Sequence, residues 1–248
     1  MKKNLLFGLM VFLAGSLASA AAAPKEDVQN AAKKLGAGAN YSWTTTVKVP
    51  EGSRWRPGPS EGKTAKDGLT WLKMTFGDNT TEVVLKGKQG AVKTSDADWR
   101  SVDELNNADG RGRFLGTMLR NFKSPAEQAV DIVADTKELK RDGDLYAGDL
   151  TEDGAKTLLI FRGWRNGEGP NVSNAKGSAK FWVKDGMLTK MEYEVSGKIS
   201  FNGNDRDVER TTTVEIKDIG STQIEVPADA KKKLEGESKP DSTAPEKK

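Results

Sequence analysis

The 248-residue chain contains no cysteine and no histidine. These two absences exclude a disulfide, a thiol nucleophile, a Ser-His-Asp triad, a zinc site of the usual kind and a lipid-anchored N-terminal cysteine. Any metal would need oxygen ligands alone, and proton transfer would fall to carboxylates, lysine or tyrosine. No pattern of these groups singles out a catalytic residue or a metal ligand, and no cofactor is expected. Aromatics make up only 7% of the chain, and neither charge dominates, with 39 Lys+Arg against 36 Asp+Glu. A charge this balanced implies no nucleic-acid partner.

The one long apolar run is short. Lys2 and Lys3 precede Leu5 to Leu13, and Ala18-Ser19-Ala20 places small residues where a signal peptidase reads. Gly15 and Ser16 interrupt the run well below the roughly 18 residues of a membrane span, so the segment reads as a secretory leader cleaved near Ala20. The mature chain is expected in the periplasm with no transmembrane segment. Losing Lys2 and Lys3 takes the formal charge from +3 to +1. From about Glu235 the chain is rich in Lys, Glu, Ser and Pro and has no leucine. Such a segment cannot bury enough surface to order itself. The expected organisation is a leader over 1–20, one domain over 21–234 and a polar tail over 235–248.

What remains is dominated by alternation. From Met187 to Phe201, residues Met187, Met191, Tyr193, Val195, Ile199 and Phe201 take odd positions, while Lys190, Glu192, Glu194, Ser196, Lys198 and Ser200 take even ones. Period two over that length predicts a long strand with one apolar face, curved or bulged near Gly197. Phe181 and Val183 continue the pattern before a turn at Asp185-Gly186, and a second turn at Asn202-Gly203-Asn204-Asp205 leads to a strand over Val208 to Ile216. Tyr41 to Val49, Leu69 to Phe76, Thr80 to Lys86, Ala91 to Thr94, Leu145 to Gly148 and Thr222 to Val226 bring the expectation to eight to ten strands, nearly all in sequential order.

Helices are few. Phe114, Leu115, Met118, Leu119 and Phe122 have helical spacing over Arg113 to Phe122, and Ser124-Pro125-Ala126-Glu127 opens another helix with Ser as cap. Short helices are also expected at Glu26 to Leu35 and Thr151 to Leu158. The fold class is α+β: a large curved antiparallel sheet, an open half-barrel, wrapped around a few helices.

The closing run Thr211-Thr212-Thr213-Val214-Glu215-Ile216-Lys217-Asp218-Ile219-Gly220, followed by Ile224-Glu225-Val226-Pro227 and a last short helix, resembles the periplasmic lipoprotein-carrier (LolA-like) superfamily. Phe181-Trp182-Val183-Lys184-Asp185-Gly186 with Leu188-Thr189-Lys190 is similar to that group's strand, turn and strand. The sharp part of the resemblance covers residues 178 to 234. It implies a half-barrel that holds a lipid or acyl group in an apolar cavity, with a lipid or lipoprotein-like amphiphile as partner. Lacking cysteine, this chain departs from the lipidated members.

A curved sheet with an apolar concave face is either plugged by helices or filled by a ligand. Met74, Phe76, Phe181, Met191, Tyr193 and Phe201 are accordingly either core or cavity wall. Two loops are expected to set tryptophan between arginines, Arg54-Trp55-Arg56-Pro57-Gly58-Pro59 and Arg162-Gly163-Trp164-Arg165, the second followed by a glycine-rich stretch to Gly177. Trp55, Arg56, Trp164 and Arg165 could form a cationic, aromatic rim for an anionic amphiphile, or each Trp could fold back on the sheet while its arginines stay wet. Asp142, Asp144, Glu152, Asp153, Asp205 and Asp207 fall at turns or helix caps, where acids serve the backbone. The expected function is that of a non-catalytic carrier or binding protein for a lipid-like ligand; the alternative is an envelope scaffold with a packed interior and a protein partner.

Overall fold

The computed structural model describes residues 23–38, 40–53, 57–107, 110–160 and 170–235. The leader over 1–20 and the tail beyond Glu235 lie outside them, as do Trp55, Arg56, Trp164 and Arg165.

Among the described residues, eleven antiparallel strands form one sheet. The first meander comprises β1 (Tyr41–Lys48), β2 (Pro57–Thr64), β3 (Leu69–Phe76), β4 (Asn79–Lys86), β5 (Gln89–Thr94) and β6 (Arg100–Ser101). The second comprises β7 (Lys140–Asp142), β8 (Leu145–Asp149), β9 (Asn171–Lys184), β10 (Met187–Phe201) and β11 (Asn204–Lys217). The two are joined by the pairing of β1 with β11, from Ser42↔Lys217 to Lys48↔Thr211. With β6 and β7 left as unpaired ends, the sheet is open rather than closed into a barrel.

The turns between the long strands follow from their residues. Asp185-Gly186 (φ 53° and 71°) and Asn202-Gly203 (φ 50° and 75°) both place two successive residues in the left-handed region. That is the geometry of a two-residue turn whose twist matches the flanking strands, and Asp or Asn followed by Gly reaches it at least cost. Strand β10 has the length and bounds its alternation predicts, and Met191, Val195 and Ile199 are buried. Its register carries two irregularities. Opposite Gly197, β9 inserts an extra residue between Ser173 and Lys176, where Asn174 has φ 54°. Near the other end, Thr189 is the extra residue between Leu188↔Val183 and Lys190↔Trp182, and its hydroxyl donates to the Trp182 carbonyl. This bulge reverses the phase of the strand, so the fully buried residue there is Leu188, while Met187 is only half-buried.

The described residues also form six helices: α1 (Ala23–Gly38), α2 (Val102–Asn106), α3 (Arg111–Arg120), α4 (Pro125–Ala134), α5 (Glu152–Leu159) and α6 (Ala228–Glu235). In α1, Val28, Ala31, Ala32 and Leu35 repeat at three and four residues and are buried; this face packs on α4 and β10. Ser124 caps α4 through a full capping box with Glu127. Tyr41 adds a buried acceptor for the Ala126 N–H at the same helix end. Helices α1, α3, α4 and α5 share the main core with the inward face of the sheet. Helix α6 instead covers a smaller apolar cluster of Val84, Ala91 and Trp99 using Ala230 and Leu234.

Several elements depart from the sequence expectation. Pro57-Gly58-Pro59 lies in β2, not in a loop, and the pairing slips between Pro57 and Ser60. The glycine-rich segment before Gly177 is already strand from Asn171. Residues 222–227 form no strand: Thr222 turns back to the Asp218 carbonyl through its N–H and its hydroxyl, and Val226 packs against the small cluster beneath α6. Helix α3 ends at Arg120, so Phe122 sits in the connection to α4. The short elements α2, β6 and β7 have no periodicity long enough to be read.

Candidate functional site

Strand alternation sends Trp43 and Thr45 of β1, Ser60 of β2, Leu72 and Met74 of β3, Tyr193 of β10 and Arg210 of β11 to the side of the sheet that the helices cover. The helices do not fill it. Leu119 of α3 is buried, Leu115, Met118 and Phe122 are only partly buried, and Phe114 is 49% exposed. Beside them lies a cavity of about 690 Å³ between the sheet, α3, α4 and the end of α5. That volume is within the range that holds small organic ligands.

The walls are mostly apolar. The Trp43 indole stacks on the Phe122 ring at 6.4 Å with an interplanar angle of 18°, and Tyr41 stands 5.6 Å from Trp43 on the other side. Part of the polar lining is tied down; Arg113 of α3 also belongs to it. Lys123 Nζ pairs with Asp131 at 2.6 Å, and Gln128 Nε2 donates to the Lys123 carbonyl at 2.7 Å. Both contacts fix the α3–α4 connection that carries Phe122.

The sheet side of the lining also carries Thr45, Ser60, Glu61 and Arg210; Arg210 lies on β11. Its inward neighbours on β11 are Val208 and Thr212, and the residues opposite them on β10 are Gly197, Val195 and Tyr193, all uncharged. Its guanidinium donates to the carbonyl of Leu158, in the last turn of α5. Burial draws its pKa below the ordinary guanidinium value, with the Tyr193 phenol opposing; the group remains a cation at any physiological pH. Burial likewise raises the Tyr193 phenol, partly offset by the Thr212 hydroxyl and by Arg210.

A second cavity, of about 610 Å³, lies between α1, α4 and strands β1 to β4. Its wall is more charged, with Lys33, Lys66, Arg120 and Glu127 beside Tyr41 and Leu85. It shares Leu119 and Phe122 with the first cavity, so these two side chains stand between the two spaces.

Of the residues singled out in the sequence, Met74 and Tyr193 are brought together on the wall of the first cavity. Phe181 and Met191 are not on the lining of either cavity; both are fully buried in the packed core. The side chains of Phe76 and Phe201 lie outside the described residues. So do Trp55, Arg56, Trp164 and Arg165, although Ser60 and Ile160, which stand near those two segments in the chain, line the first cavity. Of the acids, Asp142 and Asp144 flank the β7–β8 turn, Glu152 pairs with Lys156 at 2.8 Å, and Asp205 and Asp207 are exposed on β11. Among the described residues, no three acidic groups gather closely enough to hold a metal ion, and no helix is long and apolar enough to cross a membrane.

Sequence reading missed Arg210 and Trp43 as cavity walls. The parity of Arg210 was available, since it falls between Val208 and Thr212 on the face assigned inward. Trp43 carried the same signal on β1.

No protein-family model matches the chain, and no curated protein matches it in sequence. Among solved structures it is similar to LprF from Mycobacterium bovis, at 14% identity and a TM-score of 0.45, covering 84% of this chain and 98% of that one. It is also similar to the lipoprotein LppX of Mycobacterium tuberculosis, at 9% identity and a TM-score of 0.43, covering 82% and 98%. A LolA superfamily protein from Nitrosomonas europaea matches at 8% identity and a TM-score of 0.32, covering 83% and 94%. At these scores the likeness is one of layout, and function has to be argued from the cavity itself.

Proposed function

We propose that this protein is a non-catalytic carrier or binding protein that holds the apolar part of a lipid, acyl chain or lipoprotein-like amphiphile between its sheet and its helices. The observation that carries the reading is the 690 Å³ cavity walled by Trp43, Leu72, Met74, Met118 and Phe122. A chain of methylenes lying along these apolar walls removes them from water, which is favourable in proportion to the apolar area covered. The alternative of a fully packed scaffold is disfavoured by the same observation. The leader read over residues 1–20 supports action in the periplasm. The lack of histidine and cysteine agrees with a role based on binding.

Native mass spectrometry of the mature protein, purified from its own envelope, tests this. A discrete added mass that extraction identifies as an amphiphile is expected. A clean protein mass, together with failure to bind a fluorescent fatty acid, would return the interior to the packed alternative and point to an envelope protein partner. Within the carrier reading, Trp55, Arg56, Trp164 and Arg165 are proposed as a rim. Replacing Trp55 and Trp164 by alanine should weaken binding, and unchanged affinity in both variants would remove them from the site.

A further inference from the structure

The two cavities share a wall and differ in chemistry. Trp43, Leu72, Met74 and Met118 give the first its apolar face. The second is reached by two exposed lysines from separate elements, Lys33 of α1 and Lys66 of the β2–β3 turn. The carboxylates around it are already engaged. Glu127 accepts from the Ser124 N–H and hydroxyl, both at 2.8 Å, in the capping box of α4. Asp67, next to Lys66, is held by Lys86 at 3.1 Å, and Asp103 pairs at 2.5 Å with Arg120, the remaining cation of the lining. The Lys66 N–H donates to Asn40 Oδ1 at 2.8 Å, which fixes its backbone. Among the described residues, no carboxylate forms an ion pair with the ammonium of Lys33 or Lys66. Behind them the wall is Ala32, Leu85, Leu119 and Val130. A concave surface with such walls focuses the field of its cations into the cavity.

We infer that the second cavity is the head-group compartment of the amphiphile site: an oxyanion head, a carboxylate or a phosphate, lies between Lys33 and Lys66, and the chain passes Leu119 and Phe122 into the first cavity. The inference rests on the amphiphile-binding reading above and adds the charge of the ligand and the direction in which it lies. Lysine meets an oxyanion as a point charge with three donors, so two of them on separate elements bracket the head without a fixed fork geometry. Phe122 suits the boundary. It follows the end of α3, is only partly buried, and stacks on Trp43 of the first cavity. Turning its ring aside costs a stacking contact and no backbone hydrogen bond.

The test is calorimetric titration of the delipidated full mature chain at low ionic strength with palmitate, palmitoyl lysophosphatidate, neutral 1-palmitoylglycerol and inorganic phosphate. One or both charged amphiphiles should bind roughly three- to tenfold tighter than 1-palmitoylglycerol, the scale of two exposed charge pairs, and added salt should shrink the margin. Which of them is preferred distinguishes a carboxylate head from a phosphate head. Lys33→Gln combined with Lys66→Gln should erase the preference and leave the neutral affinity in place; both side chains are exposed, so the fold tolerates the change. Lys140→Gln combined with Lys176→Gln removes the same charge from two exposed lysines that line neither cavity, and should keep the preference. Wild-type protein that binds the three amphiphiles equally would overturn the inference and leave the carrier reading standing. So would a preference that survives in the Lys33/Lys66 variant, or one lost equally in the Lys140/Lys176 variant. Inorganic phosphate that binds as tightly as the lysophosphatidate would make the second cavity a site for a free anion and overturn its link to the first. Failure of all three amphiphiles to bind the wild type would sink both readings.

Discussion

All three tyrosines of the chain have phenols held above their ordinary value, each chiefly by burial. For Tyr146 the carboxylate of Asp27, which accepts its hydroxyl at 3.1 Å, raises it further. A raised phenol favours the neutral form in the fold. Its contribution is therefore fully present below the unfolded value of about 10 and is lost as pH rises through the folded value. With no histidine, nothing comparable titrates through the neutral range. The melting temperature should stay level across neutral pH and fall steeply in alkali, and Tyr41→Phe should make that fall shallower. An alkaline slope that is the same in the variant would contradict the assignment. The acid limb has the opposite sign: Glu192 is held low by Lys180 although burial opposes it, so its share is lost as pH drops through its folded value.

Gly62 shows how one missing side chain shapes the cavity. A Cβ there would overlap the Trp43 indole, which is itself stacked on Phe122. Gly62→Ala should cost about 1–3 kcal/mol, the usual penalty of overpacking, and should shift tryptophan emission. Urea unfolding checks the first and fluorescence the second. At this scale the sequence was partly legible. Its alternation placed Met74 and Tyr193 inward, but whether an inward residue meets a helix or a void depends on the distance between layers. That is why Phe181 and Met191 turned out to be packed core while Met74 faces open space. Arg210 was skipped because a charged residue in an apolar alternation reads as noise until its neighbours are known.

Elements with strong local chemistry were legible almost to the residue. The capping box at Ser124 and Glu127 fixes the start of α4, and Ser124→Ala should destabilise the protein by about 1 kcal/mol, measurable as a lower denaturant midpoint with the slope unchanged. The Asp185-Gly186 and Asn202-Gly203 turns fixed the ends of three long strands. Strand β2 was hidden because Pro57, Gly58 and Pro59 read as loop formers. Two prolines are tolerated there only with the help of the slip between Pro57 and Ser60. Conversely, residues 222–227 have strand-like composition and no strand, because tertiary contacts override local preference there: Thr222 is tied to the Asp218 carbonyl and Val226 to the cluster under α6. They lead instead to α6, whose Leu234 covers Val84, Ala91 and Trp99. Leu234→Ala should cost about 2–3 kcal/mol and redden the Trp99 emission; a variant as stable as the parent would mean that the helix is not held there.

At the scale of the molecule, the sheet is two meanders sewn together by their outermost strands in sequence. No property of β1 or β11 alone announces that pairing, because partner choice between distant strands is decided by the assembled layers and not by local pattern. The sheet's ends are the two-residue β6 and the three-residue β7, too short to offer a neighbouring molecule much ladder.

The seam also dictates an order of events as the chain is made. β1 leaves the ribosome well before its partner, which runs from Thr211 to Lys217, so one side of β1 has no ladder until about 165 further residues have been made. Closing so distant a contact is slow. A chain built this way keeps one edge of β1 open to competing partners until residues 211–217 have been made, so the first strand to form is among the last to be secured.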